Sequence, residues 1–434
     1  MKPNIAIIGA GWAGLAAAMQ LSAYAKVTVF EASKQAGGRA RGLTAKNQVF
    51  EHVDNGQHLL LGAYHQVLRL RQQAGVSAQQ DTLRLPSQWH LLDGLDFTTP
   101  KLPAPVHVIW GLLRAKTWRF SDKKRFLQDA YALKSAVSWL KTHDISVQTW
   151  LHQRQVPQKH IAEFWQPLVL ATMNTPLDIA SLRILAVVVT EGMLNERQDS
   201  DFCLAQVDLQ QWWVDPVCRY LRRHGVNIQL QTRVQNLPKD VDGRHWFVDG
   251  QCFDRVIVAT APYHVVDVLG EHASSVQTYF EQLTYSAITT VYLRYPEPLT
   301  LPHTIQGTAY GLSQWVIHRD QLNANHRNEV AVVISVSEQH ENMTPQKWAD
   351  AVHQDLLQWQ PNLPQPMASQ VITEKRATAH ATVNRALPSM AALNKQGVYL
   401  AGDYCHPHYP ATLEGAVQSG QMAAAMCLAD WKSI

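Results

Sequence analysis

The sequence predicts an α/β protein: a discontinuous, Rossmann-like nucleotide-binding domain plus an α+β substrate domain with a mixed sheet and a helical lid. Three observations predict it. The first forty residues run strand, glycine turn, helix, strand, acid. The last forty end a strand on Gly402-Asp403 and then begin a helix. Between them lie one long helical stretch and one of alternating strands. This order places nucleotide-binding pieces at 1–80, 207–272 and 389–434, and substrate pieces at 81–206 and 273–388.

Ile5 to Ile8 is an apolar, β-branched run that reads as a buried strand. Gly9-Ala10-Gly11-Trp12-Ala13-Gly14 follows, then an Ala- and Leu-rich helix from Leu15 to Tyr24 and a second strand, Val27 to Phe30, ending on Glu31. Gly9 permits the tight turn, Gly11 lets backbone approach a pyrophosphate, and Gly14 allows close helix–strand packing. The helix N-terminus faces phosphate charge, and Glu31 can accept both ribose hydroxyls. The layout predicts a bound dinucleotide. Gly37-Gly38-Arg39 comes just after the second strand, where a chain bending over a pyrophosphate can offer it a guanidinium fork.

The next segment, Asp54 to Tyr64, is a polar loop entering an apolar, helix-like run at Leu59-Leu60-Leu61, as expected beside a ligand. Ser87 to Phe97 reads as a hairpin turning at Asp93-Gly94. Ala104 to Phe120 combines aromatic and aliphatic residues with Arg114, Lys116 and Arg119, which suits either a core-packed helix or one lying in a membrane interface. Helices are expected over 121–143, 146–154, 160–170 and 177–190. A helix through Trp212 and Leu221 stops at His224-Gly225 and leads to a strand over 226–230, with Arg233-Val234 starting another. Arg244 to Val248 and Phe253 to Ala259 are expected to form a hairpin. Strands over 286–295, 329–336 and 369–373 surround a helix over 344–359. After Gly402-Asp403, the helix starting near Glu414 points its positive end back toward the ligand.

Composition narrows the functional classes. At 434 residues, 46% hydrophobic and 17% charged, the chain can hold two sizeable cores. A net charge of +3 without a lysine–arginine run excludes a nucleic-acid groove. The five cysteines show no paired spacing, so reduced thiols and a cytoplasmic setting are expected. The N-terminus lacks a signal-peptide layout. The most apolar stretch, Pro167 to Thr190, is interrupted by Asn174, Pro176, Asp178 and Arg183 and does not read as a membrane span. Cys405-His406-Pro407-His408 has neither a carboxylate nor a second cysteine at ligand spacing, so no metal is predicted. There is no second glycine fingerprint for a nicotinamide nucleotide, which leaves the electron donor unassigned.

These motifs together resemble the large family of FAD-binding amine oxidases, carotenoid desaturases and protoporphyrinogen oxidases. The resemblance implies a nucleotide domain of glutathione-reductase type and FAD as cofactor. It implies that Gly9, Ala10, Gly11, Trp12, Ala13, Gly14, Glu31, Gly38 and Arg39 hold the nucleotide, with Val234 clasping adenine through its backbone. Gly56, Gln57 and His58 would lie against the flavin, with Gly402, Asp403, Leu413 and Ala416 completing the site. Gly56, His58, Gly62, Ala63 and Tyr64 match plant-type phytoene and carotene desaturases. Amine oxidases carry an aromatic residue just before the Glu-Gly of the C-terminal segment; Thr412 stands there instead, which makes an amine substrate less expected.

Asp54 to Gly62 looks like the squalene-associated branch, the hydroxysqualene dehydroxylases of bacterial hopanoid pathways. That resemblance implies reduction of hydroxysqualene to squalene by flavin hydride, and transient contact with a membrane surface on its inner face. Loss of hydroxide needs a proton donor. His58 is the first candidate, followed by Tyr404, His406 and His408. The alternatives are oxidative desaturation of a carotene precursor, amine oxidation, and a flavin-free lipid escort. Glu31, Gly37-Gly38-Arg39 and Gly402-Asp403 together argue against the escort.

Overall fold

The computed structural model describes residues 2–43, 50–240, 242 and 245–432. A parallel sheet of five strands takes its members from three distant parts of the chain. Its order is Asn227–Gln229, Lys26–Phe30, Asn4–Ile8, Arg255–Val258 and Val398–Leu400. Ile7 sits opposite Val29 on one side and Ile257 on the other, and Ile257 opposite Tyr399. These strands are apolar on both faces because helices cover both. On one face the first helix, Trp12–Leu21, packs against the C-terminal helix, Leu413–Lys432. Gly420 makes that approach possible, since a Cβ there would meet the Ala13 carbonyl oxygen at 2.1 Å. The indole of Trp12 stacks on Trp213 at 4.1 Å, tying in the helix that runs from Gln210 to Arg223.

The second sheet is antiparallel, in the order Ile305–Gln306, Trp315–His318, Glu329–Ser335, Tyr285–Arg294 and Ala368–Ala379. Its alternation divides the faces. Val291, Leu293, Val330 and Val332 pack against the helix Pro345–Leu356. Ile288, Val333 and Ile372 face a large cavity. Helices between Val106 and Leu194 roof that cavity around a core that includes Trp118, Phe126, Phe164, Trp165 and Leu185. No helix among the described residues is long and apolar enough to cross a membrane.

Several local expectations are corrected. Leu59-Leu60-Leu61 is not the start of a helix: Leu60–Leu61 is a strand paired with Phe202–Ala205, and the helix begins at His65. The strand Phe202–Ala205 supplies a ladder partner that local sequence does not reveal. The helix expected from Leu177 begins at Leu182, where the Ser181 hydroxyl accepts the Ile184 N–H at 3.1 Å as an N-cap. Trp246–Val248 pairs with Gln251–Phe253 around Asp249-Gly250, both at positive φ, whereas Arg255–Val258 belongs to the parallel sheet. Arg244 lies outside the described residues. Arg233-Val234 is extended chain without a ladder rather than a strand.

Candidate functional site

The glycine turn is built by close contacts. A Cβ on Gly14 would stand 2.0 Å from the Gly9 carbonyl oxygen, and one on Gly9, at φ 106°, 2.5 Å from the Ala259 carbonyl oxygen. Gly11 caps the first helix without a side chain, and no acid occupies its first turn, so its leading N–H groups keep their positive end toward the cavity. Gly11 also bridges to Gly37, and a Cβ on Gly38 would lie 3.1 Å from the Gly11 Cα, so two backbones meet there with no side chain between them. The Glu31 carboxylate accepts from the Ala10 N–H at 2.8 Å and from the Ser33 N–H and hydroxyl at 2.8 and 2.7 Å. Those bonds aim it along the mouth of the turn.

Arg39 and Asp403, 364 residues apart, form a bidentate pair with Nη2 at 3.0 and 2.8 Å from the two carboxylate oxygens. Nη1 of Arg39 donates to the Ala377 carbonyl at 2.7 Å. Burial works against the charged guanidinium, but Asp403, then Tyr263 and Glu374, outweigh it and raise the Arg39 pKa. This pair joins the N- and C-terminal motifs. Asn55 extends it by donating to the Arg39 carbonyl at 3.0 Å and to Glu374 at 3.2 Å.

All of this borders one cavity of about 990 Å³. Gly9, Gly11, Trp12, Ala13, Glu31, Gly38 and Arg39 line it, as do Gly56, Gln57, His58 and Val234. Gly402, Asp403, Tyr404, Leu413 and Ala416 also reach it. Ala10 and Gly14 stand behind this wall, Ala10 fixing Glu31 and Gly14 fixing the helix. Thr260 Oγ1 and Arg41 Nε, on residues of the same wall, are buried without a hydrogen-bond partner. Exposed helical N–H groups, paired glycines and partnerless buried donors fit a dinucleotide pyrophosphate.

The candidate proton donors differ sharply. His58 lines the cavity, and its Nδ1 is 2.6 Å from the Gly56 carbonyl oxygen. A carbonyl only accepts, so Nδ1 carries the proton and Nε2 is the nitrogen free of that bond. Burial lowers the His58 pKa, and the charge of Arg39 lowers it further against the raising effect of the Gly56 carbonyl. Tyr404 also borders the cavity, yet its hydroxyl lies 3.2 Å from both the Thr260 and Ala401 carbonyls. His406 does not line the cavity. Its Nε2 is 3.0 Å from Gln418 Oε1, and its Nδ1 accepts the Tyr409 N–H at 2.9 Å. Burial brings its pKa to about 4. That geometry makes His406 the organiser of the 406–409 turn. His408 donates its own N–H to the same Nδ1 at 3.3 Å and does not line the cavity either.

Sequence reasoning missed most of the far end of the cavity. Its wall is apolar, from Leu168, Met173, Val188 and Met193 of the helical roof to Ile288, Ile317, Val333 and Ile372 of the sheet. For the four sheet positions the only local signal is strand alternation. It also missed Glu414, whose buried carboxylate accepts the Gln66 and Val67 N–H groups at 3.0 Å and so caps the helix His65–Gln73. Asp54, just before the Gly56–His58 loop, is buried and accepts the Leu209 N–H at 2.8 Å. Burial, with Asp208 nearby, pushes its carboxyl up to about 7. Thr412 lines the cavity and caps the C-terminal helix, its hydroxyl accepting the Gly415 N–H at 3.1 Å.

Residues 12–428 match the family described as flavin containing amine oxidoreductase. The hydroxysqualene dehydroxylase of Zymomonas mobilis is 28% identical, over 97% of this chain and 98% of that protein. The 15-cis-phytoene desaturase of Arabidopsis thaliana is 23% identical, over 99% of this chain and 81% of that protein. Among solved structures, cyclohexylamine oxidase from Brevibacterium oxydans superimposes over 100% of both chains with a TM-score of 0.73 at 16% identity. At that identity the superposition speaks for the fold alone.

Proposed function

The chain belongs to the flavin containing amine oxidoreductase family and is an FAD-dependent oxidoreductase, and from that premise we propose that it reduces hydroxysqualene to squalene. The observation that carries this reading is the cavity itself. One continuous space runs from the dinucleotide motifs to a chamber lined mainly by aliphatic and aromatic side chains, with Thr172, Asn174, Ser335 and Glu374 among the polar ones, in a chain whose full-length relatives include hydroxysqualene dehydroxylases. Such a chamber offers an isoprenoid hydrophobic contact along its length and offers a charged amine little.

The reaction breaks the carbon–oxygen bond of the alcohol, forms a carbon–hydrogen bond in its place and releases the oxygen as water. FAD, when bound and reduced, supplies the hydride. In this reading Glu31 receives the ribose, the turn at Gly9–Gly14 receives the pyrophosphate, and the loop Gly56–His58 lies beside the flavin ring. Thr290 supports that loop from the sheet by accepting the Gln57 N–H at 3.3 Å. The apolar walls exclude water from the reacting carbon.

His58 is the proposed proton donor. Because its pKa is lowered by burial, the imidazolium forms only below the ordinary histidine range, and turnover is expected to rise only once pH falls below about 6.5. His58→Ala is expected to retain FAD and lose turnover; full turnover with normal FAD content overturns the assignment. The substrate itself is tested by anaerobic incubation of reduced protein with hydroxysqualene, followed by product mass analysis. Squalene is expected, and its absence overturns the reading. A substrate of this class resides in lipid, so the proposal includes transient contact with a membrane surface on its cytoplasmic side.

A further inference from the structure

The helix Val106–Arg114 has two faces of different character. His107, Gly111 and Leu112 are buried. His107 Nε2 is 2.9 Å from the Ser200 hydroxyl, and a Cβ on Gly111 would meet the Phe97 ring at 3.1 Å. Ser200 lines the substrate cavity, so the inner face of this helix backs a cavity wall. Val106, Trp110 and Leu113 share the outer face at i, i+4 and i+7, and are 47%, 48% and 38% exposed. Phe120, just past the helix, is 75% exposed. Four large apolar side chains therefore face water on one short segment.

The charge on that segment is one-sided. From Lys101 to Ser121 there are four positive side chains and no negative one. The whole chain carries +3, so everything outside this segment sums to −1. Lys101, Arg114, Lys116 and Arg119 are all exposed. Trp118, between two of these cations, turns inward and donates to Glu163 at 2.6 Å.

We propose that residues 101–121 form a docking surface for an anionic lipid membrane, placed over the wall of the substrate cavity. Aromatic and aliphatic side chains flanked by four cations, with the first acid, Asp122, held by the Arg119 N–H at 3.1 Å and 3.7 Å from Lys159 Nζ, complement a bilayer interface, where the apolar groups enter the headgroup region and the cations meet lipid phosphates. A protein partner would be expected to select for mixed charge along the segment, whereas residues 101–121 carry four cations and no acid. The purpose of the surface rests on the isoprenoid reading, since it brings the cavity to the phase that holds such a substrate; binding to lipid does not depend on it.

The test is cosedimentation of the FAD-loaded protein with vesicles of phosphatidylcholine alone and of phosphatidylcholine with phosphatidylglycerol. Binding is expected to the anionic vesicles, weakening with salt and by about fivefold for each cation removed. Trp110→Ser with Phe120→Ser is expected to abolish binding while preserving the flavin spectrum and turnover of detergent-dispersed hydroxysqualene. Lys116→Gln with Arg119→Gln provides a second variant with the apolar face intact. Wild-type protein that stays in the supernatant, equal binding to both vesicle types, or unchanged binding by the variants overturns the proposal. Self-association that depends on Trp110, with no vesicle binding, identifies a second copy as the occupant and overturns it equally. Vesicle binding without detergent-phase turnover leaves the docking surface standing and refutes the function instead.

Discussion

The two ends of the cavity are built by opposite means. At the proposed dinucleotide end the wall is backbone: Gly9, Gly11, Gly14 and Gly38 bring main chain to within contact of main chain, and few side chains intervene. At the far end, side chains from the helical roof and from all five strands of the antiparallel sheet form a wall that no single segment defines. A backbone-built site tolerates no added atom. A side-chain-built wall can lose a methyl group and keep its shape approximately. The difference predicts where substitutions separate cofactor binding from substrate binding.

The largest effect is expected at Gly14→Ala. The new Cβ falls 2.0 Å from the Gly9 carbonyl oxygen and 3.3 Å from the Ala259 Cβ, so the turn itself must move. Overpacking of this kind costs about 1–3 kcal/mol, and the loss in flavin affinity is expected to be about tenfold or more. The flavin-to-protein absorbance ratio after purification checks it; undiminished flavin content would break the contrast between the two ends.

Next comes the pair that joins the termini. Arg39→Ala leaves the Asp403 carboxylate, only 10% exposed, without its fork, and is expected to cost about 1–3 kcal/mol in thermal stability. Arg39→Lys should recover only part of this, because one ammonium facing Asp403 cannot also replace the Nη1 bond to the Ala377 carbonyl at 2.7 Å. Melting curves with and without added FAD separate the structural loss from the cofactor loss.

These two cases also show what the sequence makes legible. The Gly14 constraint acts within six residues, and the spacing of strand, turn and acid displays it directly. The Arg39–Asp403 pair spans 364 residues and the Glu414 cap on Gln66 spans 348, so each residue was marked by its motif while its partner was not. The apolar wall was hidden for a different reason. Ile372 and Val333 look like any residue of a half-buried strand until the fold shows that one face of the sheet meets a cavity and the other a helix. Local errors had the same origin: Leu60 has an apolar neighbourhood suited to either helix or strand, and the distant Phe202–Ala205 decides for strand.

At the substrate end, Ile372→Ala is expected to raise KM for hydroxysqualene about tenfold, the order of magnitude of a few methylenes in an apolar pocket, while flavin content stays normal. A lost flavin spectrum in this variant would show that the two ends are not separable. Asp54 lies just before the loop where they meet. Its carboxyl pKa is raised to about 7 by burial, above the ordinary aspartate value, so the folded protein binds that proton more tightly than the unfolded chain does. The associated stability is present at acid pH and is lost as pH rises from about 4 through 7. Asp54→Asn is expected to flatten that part of the pH–stability profile, read by chemical denaturation at several pH values.

The smallest effect is expected at Thr412, which belongs to both ends at once. Its hydroxyl accepts the Gly415 N–H at 3.1 Å and its carbonyl accepts the Ala416 N–H at 2.9 Å, so it starts the helix whose first turn borders the cavity. Thr412→Ala removes only the side-chain cap, at a cost of about 1 kcal/mol, whereas Thr412→Ser keeps the hydroxyl. If capping is why a small hydroxyl residue stands here, the serine variant matches wild type in melting temperature and the alanine variant falls about one degree below it, with KM nearly unchanged in both. A KM that rises with alanine and is restored with serine would instead assign the hydroxyl to the substrate, and would place a polar contact in a chamber built mainly from apolar walls.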